Sequence, residues 1–127
     1  MRLARDEFGK MAEQGGFMEK HKIQVKILGD LGLLPGDVAD AMRRAEEQTK
    51  EYGQGIRLNV CLCYNSKNEI LNAFELTAEQ VASKKIEKAT IEEFDKNLYG
   101  GGNCKPDILI RTSNEIRLSN FLLHQTD

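Results

Sequence analysis

Three short stretches of the chain have the hydrophobic pattern of a β-strand. In each, apolar residues either alternate with polar ones or follow one another directly. Residues 23–28 are rich in β-branched side chains and alternate, and Gly29-Asp30 ends the stretch. Residues 58–64 are apolar on both faces except at Asn59, which is typical of a central parallel strand. Residues 107–111 predict the third strand.

Apolar residues at helical spacing predict helices before and between the first two strands. A first helix is expected over residues 2–20, and a second begins near Pro35 and ends at Gly53 and Gly55. The apolar residues expected on the first helix are Leu3, Phe8 and Met11.

A third helix is expected over residues 67–76, and shorter helices after it. The residues expected to point inward from this third helix are Ile70, Ala73 and Phe74. Two pairs have the spacing of capping boxes: Thr77 with Gln80, and Thr90 with Glu93.

The order α-β-α-β-α-α-β predicts an α/β fold, a mostly parallel sheet flanked by helices. Ligands of such sheets bind at the carboxyl ends of the strands. In this chain those ends are residues 29–30, 64–66 and 111–113.

Composition narrows the functional classes. The 127 residues are 40% hydrophobic and 30% charged, which suits one globular domain with one core. The formal net charge of −2 excludes a basic nucleic-acid coat, so no nucleic-acid partner is expected. No apolar run is long enough to cross a membrane or to form the core of a signal peptide. The three cysteines, Cys61, Cys63 and Cys104, are expected to be buried thiols in a reducing compartment.

The segment 111–120 carries the candidate chemistry, because two arginines and three short hydroxyl side chains follow directly on the third predicted strand. The planar guanidinium of arginine matches phosphate oxygens, and serine hydroxyls and backbone N–H groups add further donors. Such a set could hold a diphosphate. The alternative is a solvated loop in which one arginine pairs with Glu115.

Residues 106–125 resemble the signature P-D-[IL]-L-I-R-T-[SG]-G-E-x-R-[IL]-S-[ND]-F-L-L-W-Q of the cis-prenyltransferases, the undecaprenyl and dehydrodolichyl diphosphate synthases. Residues 58–70 look like a second block of this family, and residues 27–30 with 33–35 like a third. The Thr112-Ser113 pair looks like the eukaryotic dehydrodolichyl type.

The resemblance implies a partial cis-prenyltransferase fold and a magnesium-dependent reaction. Members extend an allylic diphosphate, usually farnesyl diphosphate, with isopentenyl diphosphate units that carry new cis double bonds. The positions of Arg111, Arg117 and Ser119 would bind the diphosphate of isopentenyl diphosphate, and that of Glu69 is tied more loosely to its use.

Departures from the family pattern qualify this interpretation. The family has an earlier strand ending in a motif like M-D-G-N-x-R, with the catalytic and magnesium-binding aspartate, and a block S-x-E-N-[WF] for the allylic substrate. Neither motif occurs here, and the family continues beyond the position of Gln125. We therefore expect residues 1–127 to form one partial domain, without its own catalytic or metal-binding residue and inactive alone.

Three single positions also differ from the family. Asn114 stands where the family has a glycine that requires positive φ, which asparagine tolerates. Lys67 replaces an arginine and loses its planar fork. His124 replaces a tryptophan, and we expect an ordinary structural or surface role for it.

A generic diphosphate-binding α/β module fits the spacing of segment 111–120 but does not explain the other blocks that resemble the family. Two functional hypotheses within the family stay open. The chain belongs either to a catalytic prenyltransferase subunit or to a non-catalytic partner or assembly subunit of a prenyltransferase complex. Partner subunits usually lack the arginine-serine block present here, which favours the first. The resemblance also implies a homodimer or a heterodimer with a related subunit, in the cytoplasm at the surface of the endoplasmic reticulum membrane.

Overall fold

The computed structural model describes Asp6, Lys10 and residues 16–102 and 105–126. The chain divides into two compact units, Met1–Cys63 and Tyr64–Asp127. The regular elements of the first unit are α1 (Phe17–Lys20), β1 (Ile23–Leu28), α2 (Gly36–Thr49) and β2 (Ile56–Cys61). Those of the second unit are α3 (Ser66–Ala82) and α4 (Ile91–Lys96). The apolar face predicted for the N-terminal helix at Leu3, Phe8 and Met11 lies outside the described residues.

The sheet of the first unit consists of β1 and β2, which pair in parallel from Ile23 opposite Ile56 to Leu28 opposite Cys61. The predicted bounds of β1 are confirmed, and β2 begins and ends earlier than predicted. The buried core of this unit gathers residues from α1, β1 and α2: Met18, Ile23, Val25, Ile27 and Met42. The strand–helix–strand unit of an α/β fold is thus present.

Two side chains of α2 close the outer edge of β1. Thr49 Oγ1 accepts a hydrogen bond from the backbone N–H of Val25 at 2.9 Å. Glu46 Oε1 accepts one from the N–H of Ile27 at 2.7 Å. Buried N–H groups at a strand edge need such partners, so α2 is fixed against β1 by hydrogen bonds as well as by packing.

β2 is not the buried central strand that its apolar pattern predicts. Ile56 and Leu58 are exposed, and in the described part of the chain β2 pairs with β1 alone. A strand is buried on both faces only when neighbours cover it, and sequence pattern does not supply them.

The prediction of a third strand over residues 107–111 is wrong for the described structure. The segment has no strand ladder, and Ile108 and Ile110 are 78% and 83% exposed. Apolar alternation gives a propensity for extended backbone, but a strand also needs a partner for its N–H and C=O groups.

α3 is longer than the predicted 67–76, and its buried face differs from the predicted one. Its buried residues are Ser66, Glu69, Ala73 and Thr77. Phe74, predicted to point inward, is 64% exposed. Thr77 does not begin a helix, because its hydroxyl donates to the carbonyl of Ala73 within α3. The other predicted cap is confirmed: Thr90 Oγ1 accepts from the N–H of Glu93 at the start of α4.

Two further details concern cysteines and membrane spans. Cys61 and Cys63 carry thiols and not a disulfide, but Cys63 is exposed where burial was expected. Cys104 lies outside the described residues. No helix within the described ranges combines the length and the apolar character that crossing a bilayer requires.

Candidate diphosphate site

The loop that follows residue 110 folds back on Arg111. Arg111 Nη1 donates to Ser119 Oγ at 3.0 Å and also to the backbone carbonyl of Arg117. The turn between them contains Ser113 and Asn114 at φ of 65° and 54°. The left-handed conformation expected at Asn114 is therefore present, and asparagine is among the few residues that adopt it readily.

Arg117 is solvated and pairs with Glu115, as the alternative of a solvated loop predicts. Its guanidinium pairs with the Glu115 carboxylate, with Nη1 and Oε2 2.5 Å apart, and its side chain is mostly exposed. An exposed ion pair of this kind is weak, because water screens both charges. Arg117 therefore stays available to an incoming anion with a higher charge than one carboxylate.

A cleft of about 290 Å³ opens beside these groups. Its lining residues are Leu109, Ile110, Arg111, Leu118, Ser119 and Phe121. The lining thus combines a guanidinium and a hydroxyl with four apolar side chains. A small amphiphile with an anionic head and a short hydrocarbon tail matches this combination.

A larger cavity of about 410 Å³ lies elsewhere in the same unit, next to His124. Its lining residues are Phe74, Thr77, Ala78, Ala89, Thr90, Ile91, Phe94 and His124. No arginine or lysine lines it, whereas Arg111 lines the smaller cleft, which is therefore the better candidate of these two for a diphosphate.

Glu69 is buried and is not among the residues that line the cleft. Its side chain is 1% exposed, and Oε1 accepts the backbone N–H of Tyr99 at 3.0 Å. Oε2 accepts from Gln125 Nε2 at 3.0 Å and from the Tyr64 hydroxyl. These three donors satisfy the carboxylate, which a buried charge requires.

The Tyr64 hydroxyl titrates outside its usual range. Burial, reinforced by the hydrogen bond to the Glu69 carboxylate, raises the pKa of Tyr64 to about 12. The phenol therefore stays a hydrogen-bond donor to Glu69 at every physiological pH.

Ser66 connects the start of α3 to the segment that follows the loop. Its backbone N–H donates to the carbonyl of Asn120 at 3.1 Å, and its Oγ accepts the N–H of Leu123 at 2.9 Å. One predicted strand end, residues 64–66, thus contacts residues 120–123 of the same unit, which follow the predicted strand end at 111–113. Asp30, at the first strand end, accepts from the N–H of Gly32 and caps a turn.

Of the four predicted site residues, Arg111 and Ser119 come into direct contact, and Arg117 joins them through its carbonyl. Glu69 does not contact these three residues directly in the bonds described, but it accepts a hydrogen bond from Gln125, which follows Ser119 in the chain. Sequence reasoning missed Ser66. Its signal is the small and polar stripe Ser66, Glu69, Ala73 and Thr77, which recurs at helical spacing on a helix with exposed Leu71 and Phe74.

His124 has a structural partner that sequence spacing did not reveal. Its Nε2 lies 2.7 Å from Asp95 Oδ1, and its ring packs edge to face on Phe94 with centroids 5.3 Å apart. The expected ordinary structural role of His124 is consistent with these contacts.

Comparison with known proteins gives concordant matches along the chain. The family model of undecaprenyl diphosphate synthases matches residues 1–127. The dehydrodolichyl diphosphate synthase complex subunit of Homo sapiens is 43% identical over 128 residues, which are 99% of this chain and 38% of that protein. A tritrans,polycis-undecaprenyl-diphosphate synthase (geranylgeranyl-diphosphate specific) of Methanocaldococcus jannaschii is 35% identical over 130 residues, 99% of this chain and 46% of that protein. The chain spans less than half the length of these relatives.

The fold has a counterpart among solved structures. Lavandulyl diphosphate synthase from Lavandula x intermedia, solved in complex with dimethylallyl diphosphate, superposes with a TM-score of 0.81. The identity is 26%, and the match covers 98% of this chain and 53% of that one. The α/β fold class expected from the alternation of strands and helices is thereby confirmed.

Proposed function

Because the chain belongs to the undecaprenyl diphosphate synthase family, the cis-prenyltransferases, we propose that the protein takes part in cis-prenyl transfer. The reaction adds isopentenyl diphosphate units to an allylic diphosphate such as farnesyl diphosphate, for the synthesis of polyprenyl or dolichyl diphosphates. The family match over residues 1–127 and the 43% identity to the human subunit support the proposal.

The proposed task of this chain is to bind the diphosphate of isopentenyl diphosphate with Arg111, Arg117 and Ser119. The contact of 3.0 Å between Arg111 Nη1 and Ser119 Oγ carries this assignment, because it brings together a permanent cation and a hydroxyl of two residues that line the cleft. Guanidinium forks and hydroxyls are strong donors to phosphate oxygens. Glu69 supports the same site indirectly, through the hydrogen bond that it accepts from Gln125.

These residues act by charge and position. The two guanidinium groups offset the negative charge of the diphosphate, and the apolar cleft walls hold the five-carbon chain away from water. Arg117 exchanges the single charge of Glu115 for the diphosphate when the substrate binds. In this proposal the isoprenyl carbons lie along the apolar lining residues Leu109, Ile110 and Phe121.

A magnesium requirement is part of the proposal for the whole enzyme. Within the residues described here, no three side chains of His, Cys, Asp or Glu come together in a group that could hold a metal ion. These residues do not by themselves fit a magnesium site.

The proposal includes an assembly and a location. We expect the active form to be a dimer, of identical or related subunits, at the cytoplasmic surface of the endoplasmic reticulum membrane. The human relative is named as a subunit of a complex, which supports an assembly. We also expect the 127-residue chain to bind substrate without turning it over, because it contains no M-D-G-N motif.

Calorimetric titration with isopentenyl diphosphate tests the binding proposal. Arg111→Ala should weaken binding by about tenfold to a hundredfold, as expected for lost charge-assisted hydrogen bonds. Arg43→Ala is the matched control, because Arg43 is an exposed arginine of the other unit that pairs with Asp40. Equal affinities of the two variants would overturn the assignment. Absence of binding by the wild-type chain would favour the assembly-subunit hypothesis.

Incorporation of labelled isopentenyl diphosphate tests the expectation about turnover. The purified chain, supplied with farnesyl diphosphate and Mg²⁺, should form no labelled product. Product formation that Arg111→Ala abolishes would contradict this expectation and leave the binding assignment intact.

A further inference from the structure

Ser66 is a fully buried serine whose backbone N–H and hydroxyl both bond to residues outside α3. Its relative exposure is 0%. Its N–H donates to the Asn120 carbonyl at 3.1 Å, and its Oγ accepts the Leu123 N–H at 2.9 Å, from a residue 57 positions later in the chain. The start of α3 and residues 120–123 are therefore fixed to each other at two points.

Ser66 is not needed to begin α3. Asn65 is the N-cap, and its side-chain oxygen accepts from the N–H groups of Lys67 and Asn68. The hydroxyl of Ser66 is thereby left for a different task. Its two contacts with residues 120–123 identify that task as holding this segment.

The hydroxyl proton of Ser66 is donated to the Tyr64 oxygen. Tyr64 donates its only hydroxyl proton to Glu69, so it accepts from Ser66 Oγ, which lies 3.1 Å from it. The hydrogen bonds form a continuous chain from the Leu123 N–H through Ser66 and Tyr64 to Glu69. Glu69 also accepts from Gln125, so the two ends of this chain bond to Leu123 and Gln125, both within the segment 119–125.

The backbone of this segment requires such support. Ser119, Asn120 and Leu122 have φ of 49°, 64° and 48°, a left-handed conformation that residues other than glycine adopt rarely. Ser119 stands at the start of this stretch and contacts Arg111. Support given to residues 120–123 therefore also fixes the Ser119 hydroxyl in the cleft.

We propose that Ser66 is a positioning residue for the diphosphate site, which acts through residues 120–123 to hold Ser119 against Arg111. This inference rests on the proposed function, because it gives Ser66 a task toward bound diphosphate. Tyr64 and Glu69 are the partners that orient the Ser66 hydroxyl. None of these three side chains touches the substrate.

The test combines a binding measurement with a local structural one on the 127-residue chain. Ser66→Ala removes the acceptor of the Leu123 N–H, and Ser66→Cys keeps the approximate size with a much weaker acceptor. Both should lower the affinity for isopentenyl diphosphate by about tenfold, the loss expected when one positioning hydrogen bond is removed. Both should also speed hydrogen exchange at Leu123 and shift the NMR signals of Ser119.

Two controls separate positioning from general destabilisation. Ser83→Ala removes an exposed serine hydroxyl at the other end of α3. Asn65→Ala removes the helix cap and should lower the melting temperature without changing the affinity. An affinity loss in Asn65→Ala equal to that in Ser66→Ala would mean that α3 stability alone matters, and would overturn the inference.

The remaining outcomes are distinguishable. Unchanged affinity and unchanged Ser119 signals in both Ser66 variants, with weaker binding by Arg111→Ala, would overturn the inference and leave the proposed function standing. No binding by the wild-type chain, or no effect of Arg111→Ala, would overturn the proposed function and the inference with it. If Ser66→Ala does not fold, the affinity and the Ser119 signals of Ser66→Cys decide between these outcomes.

Discussion

Arg111 Nη1 and Ser119 Oγ lie 3.0 Å apart, although the two residues are eight positions apart in the sequence. The loop reverses through Ser113 and Asn114, both at positive φ, and the Arg117 carbonyl accepts a second bond from the same guanidinium. Arg111 is thus held by protein groups before any ligand arrives. Preorganised donors lose less entropy on binding an anion than free side chains do.

Arg111→Lys should weaken binding of isopentenyl diphosphate although it keeps the charge. A lysine ammonium is a point charge and cannot offer a diphosphate the planar, bidentate donor set of a guanidinium. We expect an affinity about tenfold lower, measured by calorimetric titration. Arg43→Lys is the matched control, and an affinity of Arg111→Lys equal to that of the control would show that charge alone suffices.

Glu69→Gln should destabilise the second unit. Glutamine keeps the shape, but its NH₂ group meets donors where the carboxylate accepts from Tyr64, Tyr99 and Gln125. Leaving a buried donor without an acceptor costs about 1–3 kcal/mol. Urea unfolding measures this loss, with Glu75→Gln, an exposed position of the same helix, as the control. A loss no larger than that of the control would contradict the role of Glu69 as a buried acceptor.

The stability of the chain should fall at alkaline pH because of Tyr64. Its pKa is raised from 10.0 to about 12, so between these values the folded state keeps a proton that the unfolded state loses. The contribution is fully present below pH 10 and is lost as pH rises toward 12. Urea unfolding at several pH values should show a steeper fall for wild type than for Tyr64→Phe. Parallel curves would contradict the assignment.

Asn114 should tolerate glycine and resist valine. At φ of 54°, glycine carries no steric penalty, and a β-branched side chain is disfavoured by about 1–2 kcal/mol. Asn114→Gly should keep the wild-type affinity for isopentenyl diphosphate, and Asn114→Val should weaken it about tenfold through distortion of the loop. Equal affinities of the two variants would show that the turn does not control the site.

The sequence was informative where local chemistry decides the structure. The β-branched alternation of residues 23–28 predicted β1 with its observed bounds, and the Thr90–Glu93 spacing predicted the cap of α4. Arg111 and Ser119, two residues of the arginine-serine block, are in contact, and their role in binding a diphosphate stays a prediction.

Prediction failed where contacts with other parts of the chain determine the structure. Residues 107–111 have the apolar pattern of a strand, but a strand also requires a neighbour, and the described segment has none. Phe74 was assigned to the buried face because it is apolar, yet the buried face of α3 is built on Ser66 and Glu69. A polar buried face is recognised only from its partners, which lie up to 57 positions away.

The most direct test of the diphosphate site is an NMR titration of the 127-residue chain with isopentenyl diphosphate, followed at the arginine Nε–H and serine backbone signals. Saturable shifts should appear at Arg111, Arg117 and Ser119, with none at Arg43. Shifts that are absent at these three residues, or that appear equally at Arg43, would contradict the central claim that this loop binds the diphosphate.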